Sequence, residues 1–261
     1  MDTDIKEMLL GETPGTTLMR YAKDNPGTFP ELDALARMGT GGGRHKDNFA
    51  HSAQVADQTT LTSDGYVGED MLVAAAAVFH DVGKAPTRRF SGKKVTFHRH
   101  ETESIRIVKS RLRLYGFTRA EVSAVARVIR LASRIQAIGD PSDHAVRGLL
   151  TAAGNDDDLL RMGFRLARAD VTSKNASTRN HVENVVQSVS VAIGRLRRAQ
   201  AHAAFRPPID GGRVSEVTGI NPSRELGEVV EALTDEARRL HDAGTPMSVT
   251  DAETFVSEYR Q

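Results

Sequence analysis

The sequence of 261 residues contains no cysteine and no tryptophan, and aromatic residues make up only 5% of it. The absence of cysteine excludes disulfides, thiolate metal sites and cysteine nucleophiles, and it fits a reducing compartment. With so few aromatic rings, stacking platforms for single-stranded nucleic acid are not evident. The net charge is +1, so composition by itself indicates neither a nucleic-acid-binding protein nor a disordered tail.

Long apolar runs are also absent. No stretch approaches the roughly 18 apolar residues of a membrane-spanning helix, and the acidic N-terminus, Met1 to Glu7, lacks the apolar segment of a signal peptide. We therefore expect a soluble, cytoplasmic protein without a membrane partner. A chain of this length can bury a substantial core in one domain that carries a small appendage.

Apolar side chains recur at helical spacing through most of the chain, and no strand-like alternation is convincing. Thr118 with Glu121, and Thr250 with Glu253, fit capping boxes at helix starts. The main predicted helices start near Asn48, Met71, Glu101, Thr118, Asp143, Asp156, Asn180 and Leu226. The predicted fold class is all-α. We expect an N-terminal extension and linker over residues 1–44, a main helical domain over 45–206 and a small helical C-terminal module over 207–261.

The segment Phe79–Lys84 contains the most unusual pattern. His80 and Asp81 end a run of apolar, alanine-rich residues, with Gly83 as the expected helix cap. Ionisable groups at the end of a buried helix are costly unless they are paired, and a divalent metal ion is an economical partner.

Two more ionisable side chains, His51 and Asp170, lie on helix faces that are otherwise apolar. Two imidazoles and two carboxylates suit a borderline or hard divalent ion, which would neutralise the carboxylates and acidify a bound water. Each residue taken alone has an ordinary alternative as a hydrogen-bonded or surface side chain.

Charge around this segment has one sign. Between Asp81 and Glu101 every charged residue is basic, which suits a polyanionic substrate, although an ordinary solvated loop is the alternative. These residues are Lys84, Arg88, Arg89, Lys93, Lys94 and Arg99. Arg161, Arg165 and Arg168 either widen this patch or form the polar face of their own helix.

The motif His51, His80-Asp81 and Asp170 resembles the H…HD…D signature of the HD-domain metal-dependent phosphohydrolases. The stretch Phe97–Glu101 is similar to a segment of the bacterial CCA-adding enzyme and poly(A) polymerase branch. The stretch Val214–Pro222, followed by Leu226-Gly227, is similar to the C-terminal module of that branch. The resemblance covers roughly residues 45–260 and implies an HD-domain helical bundle.

The resemblance also implies roles for individual residues. Asp81 would orient or deprotonate the attacking water, and His100 would either ligate a second ion or contact the leaving phosphate. Lys84 and His100 would contact the substrate phosphate, and the basic charge of the loop adds Arg88 and Arg89 as expected substrate-binding residues. The metal ligands would be His51, His80, Asp81 and Asp170, with manganese, cobalt, nickel, iron or magnesium as the ion.

Two features depart from the family pattern. Many relatives carry a further histidine about thirty residues after the His-Glu pair, where this chain has Ala132, so we expect one ion. The chain also lacks the Gly-Ser turn and paired strand aspartates of a nucleotidyltransferase head, which excludes nucleotide addition by this chain alone. His45 and Glu101 are weaker candidates for the site.

The sequence therefore predicts a divalent-metal-dependent phosphohydrolase. Its substrate would be a nucleotide or an RNA-end phosphate such as a 2′,3′-cyclic phosphate, hydrolysed as a monoester or diester. The alternative is a non-catalytic body that binds tRNA, another nucleic acid or a partner, because in the resembled branch the region after about residue 209 contacts tRNA. The intact ligand set favours the enzyme.

Overall fold

The computed structural model describes residues 4–38, 47–60, 67–92, 94–139, 141–172 and 176–259. Within these residues the fold is all-helical except for one antiparallel hairpin, which confirms the predicted fold class. The hairpin pairs Arg89–Ser91 (β1) with Lys94–Thr96 (β2), in a segment that the sequence indicated to be a loop. Strands of three residues are too short to show an alternating pattern.

The helices differ widely in length, and none in the described part of the chain is long and apolar enough to span a membrane. In chain order they are α1 (Ile5–Leu9), α2 (Pro14–Asp24), α3 (Pro30–Ala36), α4 (Asn48–Thr59), α5 (Val67–Phe79), α6 (Lys84–Thr87), α7 (His100–Arg111), α8 (Arg119–Ala137), α9 (Asp143–Ala153), α10 (Asp157–Ala169), α11 (Ala176–Ala204), α12 (Gly211–Thr218), α13 (Arg224–Asp242) and α14 (Val249–Glu258). A 3-10 turn, Leu112–Tyr115, follows α7.

The chain forms two compact units, Met1–Ile193 and Gly194–Gln261, and the division falls inside α11. The second unit has its own apolar core, in which Val214, Leu233 and Val256 are fully buried. The sequence put the start of the C-terminal module at residue 207, just after α11. That boundary stays a prediction.

The N-terminal segment is helical and contributes to the core of the first unit. Its apolar side chains are almost completely buried, and α2 and α3 both contact α4. The buried side chains are those of Ile5, Leu9, Leu18, Ala22, Phe29, Leu32 and Leu35. The sequence indicated an extension and linker here because proline and glycine interrupt it, but Pro14 and Pro30 are the first residues of α2 and α3, where proline is tolerated.

The start of α2 is capped from another helix. The N-cap residue Thr13 makes no capping hydrogen bond. Instead, Asp57 on α4 accepts hydrogen bonds from the backbone N–H groups of Gly15 at 2.8 Å and Thr16 at 3.1 Å. A carboxylate at this position satisfies N–H groups that the helix leaves unpaired. Asp57 therefore joins the N-terminal helices to the centre of the unit.

The apolar run of α5 forms the middle of the first unit. Val73, Ala75, Ala76, Ala77 and Phe79 have no measurable exposure, and α5 contacts α4, α8 and α10. Alanine side chains let neighbouring helices approach closely, so the ends of several helices meet where α5 stops. That meeting point holds His80 and Asp81.

Gly83 does not cap α5, contrary to the sequence-based expectation. The helix ends at Phe79, a turn follows, and Gly83 has a right-handed φ of −67° at the start of α6. A Cβ atom on Gly83 would overlap the carbonyl oxygen of His100 and the backbone nitrogen of Ser104. Glycine is required here because α7 packs directly on this backbone, not because of a left-handed turn.

One of the two predicted capping boxes is confirmed and the other is shifted. Thr118 and Glu121 form the expected box at the start of α8. At α14 the box consists of Ser248 and Asp251 rather than Thr250 and Glu253. Both pairs have suitable residue types three positions apart, and the helix takes the earlier one.

Candidate metal centre

Helix ends bring two imidazoles and two carboxylates together. His51 lies near the start of α4, His80 and Asp81 follow α5, and Asp170 caps the C-terminus of α10. Asp170 Oδ1 lies 2.9 Å from His51 Nε2 and 3.3 Å from His80 Nε2. Asp81 Oδ2 lies 3.4 Å from His80 Nε2 and 3.8 Å from His51 Nε2. The four residues predicted to ligate a metal thus form one cluster.

Both imidazoles direct Nε2 toward the carboxylates because the other ring nitrogen has its own partner. His80 Nδ1 donates to the Ala77 carbonyl oxygen at 2.7 Å. His51 Nδ1 lies 3.2 Å from the Thr172 hydroxyl oxygen. A carbonyl can only accept, so Nδ1 of His80 carries a proton and Nε2 is the atom available to an ion.

Asp81 is the most deeply buried member of the cluster, with a side chain only 2% exposed. Lys84 Nζ donates to Asp81 Oδ2 at 2.5 Å, and it lies 3.5 Å from the Asn48 amide oxygen. The nearest partner of Lys84 is therefore a site carboxylate. Its predicted contact with a substrate phosphate stays a prediction.

The pKa values show how strongly these groups interact. Burial by itself would raise the pKa of Asp81, but His80 and Lys84 outweigh burial and hold it below its usual value. Burial would also raise the pKa of Asp170, yet hydrogen bonds from His51 and His80 lower it. For His80, burial lowers the pKa, while the charges of Asp81 and Asp170 raise it to about 9. Two carboxylates thus remain ionised and attract positive charge.

The donor set fits a divalent ion. The ligand atoms of His51, His80 and Asp170 all lie within 4.8 Å of one another. Two ligands about 2.0–2.1 Å from one ion are separated by about 2.8–3.4 Å when adjacent and by about 4.2 Å when opposite. The distances of 2.9, 3.3 and 3.4 Å match adjacent ligands, whereas the 3.8 Å between His51 Nε2 and Asp81 Oδ2 lies between the two values. His51, His80 and Asp170 could therefore hold an ion, and Asp81 lies beside them with Oδ2 bonded to Lys84.

A cavity of about 160 Å³ adjoins the cluster. The three predicted catalytic residues, Asp81, Lys84 and His100, all line it. His100 Nε2 lies 3.5 Å from Asp81 Oδ1, and His100 Nδ1 donates to the Phe97 carbonyl oxygen at 3.0 Å. At 37% exposure, the His100 side chain can meet both a substrate and solvent.

Helix α8 supplies the opposite wall of the cavity through Ala132, Ser133 and Gln136. Ala132 faces this cavity and offers no ligand atom. Ser133 donates to Glu101 Oε2 at 2.7 Å, and Gln136 Nε2 donates to Asp170 Oδ2 at 2.8 Å. Sequence reasoning missed Ser133 and Gln136. Gln136 lies one helical turn after Ala132, which was predicted to face inward, and that spacing could have identified it.

Arg88 and Arg89 are not brought to the cavity. Arg88 Nη1 donates to the Met38 carbonyl oxygen at 3.0 Å, and its guanidinium lies 4.7 Å from the centre of the Phe90 ring. Arg89 Nη1 donates to the carbonyl oxygens of Pro86 and Arg88. Their role in substrate binding stays a prediction. His45 and Lys93 lie outside the described residues.

The three arginines of α10 form ion pairs with other helices. Arg161 pairs with Glu69 at 2.5 Å, Arg165 pairs with Asp70, and Arg168 pairs with Glu183 at 2.7 Å. Arg165 is 3% exposed. The sequence left open a wider basic patch or the polar face of α10, and these pairs instead join α10 to α5 and α11.

Comparison with known proteins adds one finding. Residues 48–160 match the family model of the HD domain, and the search of curated proteins found no match. The matched range includes His51, His80 and Asp81, and it ends before Asp170. It covers less than half of the chain. HD domains are typical of metal-dependent phosphohydrolases and bind divalent metals, so the match supports that superfamily. It gives no support for a close relation to CCA-adding enzymes.

Proposed function

We propose that this protein is a divalent-metal-dependent phosphohydrolase of the HD superfamily. The observation that carries the proposal is the convergence of His51, His80, Asp81 and Asp170 beside a cavity that Lys84 and His100 also line. The HD-domain match over residues 48–160 supports it independently of the distances. Burying the Asp81 carboxylate is costly unless other groups or an ion compensate for it, and a metal site supplies that compensation.

The chain's own residues suit distinct tasks in phosphate ester hydrolysis. When bound, a divalent ion would act as a Lewis acid and lower the pKa of water near the phosphorus. Asp81 has a lowered pKa, which makes it a weak proton acceptor, so we assign it to orienting water rather than to deprotonating it. Lys84 keeps Asp81 ionised and places a positive charge at the cavity wall.

His100 is the proposed proton donor to the leaving group. It lines the cavity, and its Nε2 faces the Asp81 carboxylate at 3.5 Å while Nδ1 is held by a backbone carbonyl. Nε2 is therefore the ring nitrogen left to face the cavity, from which a proton could pass to a departing oxygen. This role needs no second ion, which agrees with alanine at position 132.

For the substrate we propose a nucleotide or an RNA-end phosphate such as a 2′,3′-cyclic phosphate. The small cavity suits a terminal or cyclic phosphate, and the basic segment that follows Asp81 in the sequence suits an anionic substrate. The preference for RNA ends rests on the similarity of Phe97–Glu101 and Val214–Pro222 to the CCA-adding branch.

For the metal we propose a single manganese, iron, cobalt or nickel ion. Two imidazole nitrogens suit these ions, whereas magnesium prefers oxygen ligands only. Ala132 removes the ligand that a second ion would require.

The test combines metal content with turnover. Purified protein and Asp81→Ala would be assayed with p-nitrophenyl phosphate, bis-p-nitrophenyl phosphate, a nucleotide panel and 2′,3′-cyclic nucleotides, with and without Mn²⁺. We expect about one ion per chain and a loss of at least about a hundredfold in turnover for the variant. Asp242→Asn, an exposed carboxylate on α13 with 74% exposure, is the matched control and should retain full activity.

The competing function is binding without catalysis. The separate compact unit Gly194–Gln261, which includes the Val214–Pro222 stretch, is the observation that favours it. Tight tRNA binding by a protein that neither holds metal nor hydrolyses any of these substrates would support this second function and overturn the first.

A further inference from the structure

Gln136 contacts the cluster from the α8 wall. Its Nε2 atom donates to Asp170 Oδ2 at 2.8 Å and lies 3.3 Å from the Ala167 carbonyl oxygen. Both of these partners can only accept hydrogen bonds, so the amide nitrogen rather than the amide oxygen must face them. The orientation of the Gln136 amide is therefore fixed by its surroundings.

The two oxygens of Asp170 have different partners as a result. Oδ1 faces the two imidazole Nε2 atoms at 2.9 Å and 3.3 Å, whereas Oδ2 accepts from Gln136. An oxygen held by an amide N–H lies in the direction of that donor and away from the imidazoles. Only Oδ1 is then directed to the position that an ion would occupy.

We propose that Gln136 is a positioning residue that holds Asp170 as a monodentate ligand through Oδ1. As a neutral amide, Gln136 holds Oδ2 without adding charge to the cluster. Keeping Asp170 monodentate leaves one more coordination position for water or substrate. This inference rests on the proposed metal site.

The expected effect follows from the behaviour of residues that orient metal ligands. Loss of such a contact typically weakens metal binding by about ten- to a hundredfold. Gln136 is exposed, so we expect the lower end, about tenfold. Released from Gln136, Oδ2 can also reach the ion, and a higher coordination number weakens the visible absorption of bound Co²⁺.

The experiment compares wild type, Gln136→Met and Ser133→Ala by calorimetric titration with Mn²⁺ and Co²⁺ and by the Co²⁺ absorption spectrum. Methionine has a similar size but no donor. Ser133 lines the same cavity and bonds Glu101, not Asp170, so it is the matched control. Thermal unfolding of the metal-free variants verifies that each is folded.

We expect Gln136→Met to raise the Kd for both ions about tenfold and to weaken the Co²⁺ bands, while Ser133→Ala changes neither. Equal affinities and spectra for wild type and Gln136→Met would overturn this inference and leave the proposed function intact. An equal loss in Ser133→Ala would also overturn it, because the effect would then belong to the whole cavity wall. Absence of metal binding by wild type would instead refute the proposed metal site.

Discussion

Gly83 offers a direct test of how the segment that contains His80 and Asp81 is held in place. In Gly83→Ala, the added Cβ would overlap the His100 carbonyl oxygen and the Ser104 backbone nitrogen. Both obstructing atoms are backbone, so they can move aside only if α7 shifts as a whole. Overpacking of this kind costs about 1–3 kcal/mol.

A second loss adds to the overlap. The Gly83 N–H donates to Ser104 Oγ at 2.9 Å, and displacing α7 would lengthen this buried hydrogen bond. A bond of this type contributes about 1 kcal/mol. We therefore expect Gly83→Ala to lower the free energy of unfolding by about 2–4 kcal/mol. Because α7 begins at His100, we also expect lower turnover in the variant that remains folded.

Urea unfolding measures the change, and Gly148→Ala is the matched control. Gly148 lies inside α9, and a Cβ atom there would meet nothing within 4 Å. The same substitution should therefore stabilise the protein by about 0.5–1 kcal/mol through helix propensity. A lower free energy of unfolding for Gly83→Ala and a higher one for Gly148→Ala would support the packing argument. A Gly83→Ala variant as stable as wild type would refute it.

Three other perturbations have defined outcomes. His80, with a pKa of about 9 in the metal-free protein, stabilises the fold fully below pH 6.5 and loses that contribution as the pH rises through about 9. An ion must displace its proton, so Mn²⁺ affinity should rise about tenfold per pH unit from 7 to 9 in calorimetric titrations, and a flat profile would contradict this. Asp57→Ala removes the cap of α2 and should cost about 1–2 kcal/mol in urea unfolding, whereas an unchanged midpoint would show that the cap is dispensable. Lys84→Met removes the shortest ion pair of the buried Asp81 carboxylate and should lower the Tm of the metal-free protein. Mn²⁺ should restore part of the loss, and equal losses with and without Mn²⁺ would argue against an ion beside Asp81.

Helices that combine an apolar stripe with a polar N-cap were the most predictable part of the fold. α4, α9 and α10 have clear apolar stripes and polar N-caps, and the structure places them where the sequence predicted them. The N-terminal helices were not predictable in the same way, because their stability comes from contacts such as that of Asp57 with Gly15, which join distant parts of the chain.

The cluster of His51, His80, Asp81 and Asp170 could be found in the sequence because charged groups on apolar faces are unusual. The contacts that surround this cluster could not be predicted from the sequence. Nothing local distinguishes Gln136 from the other polar residues of α8, and its role becomes visible only when α10 brings Asp170 alongside. Likewise, Gly83 was expected to be a cap because the proximity of α7 is a property of the fold and not of the local sequence.

The most direct test of the metal centre is a crystal structure of the protein grown with Mn²⁺, with anomalous scattering used to locate the ion. We expect one anomalous peak about 2.0–2.3 Å from His51 Nε2, His80 Nε2, Asp81 Oδ2 and Asp170 Oδ1. A crystal in which Mn²⁺ is absent from this cluster, or bound only elsewhere, would contradict the proposed metal centre and the phosphohydrolase function that depends on it.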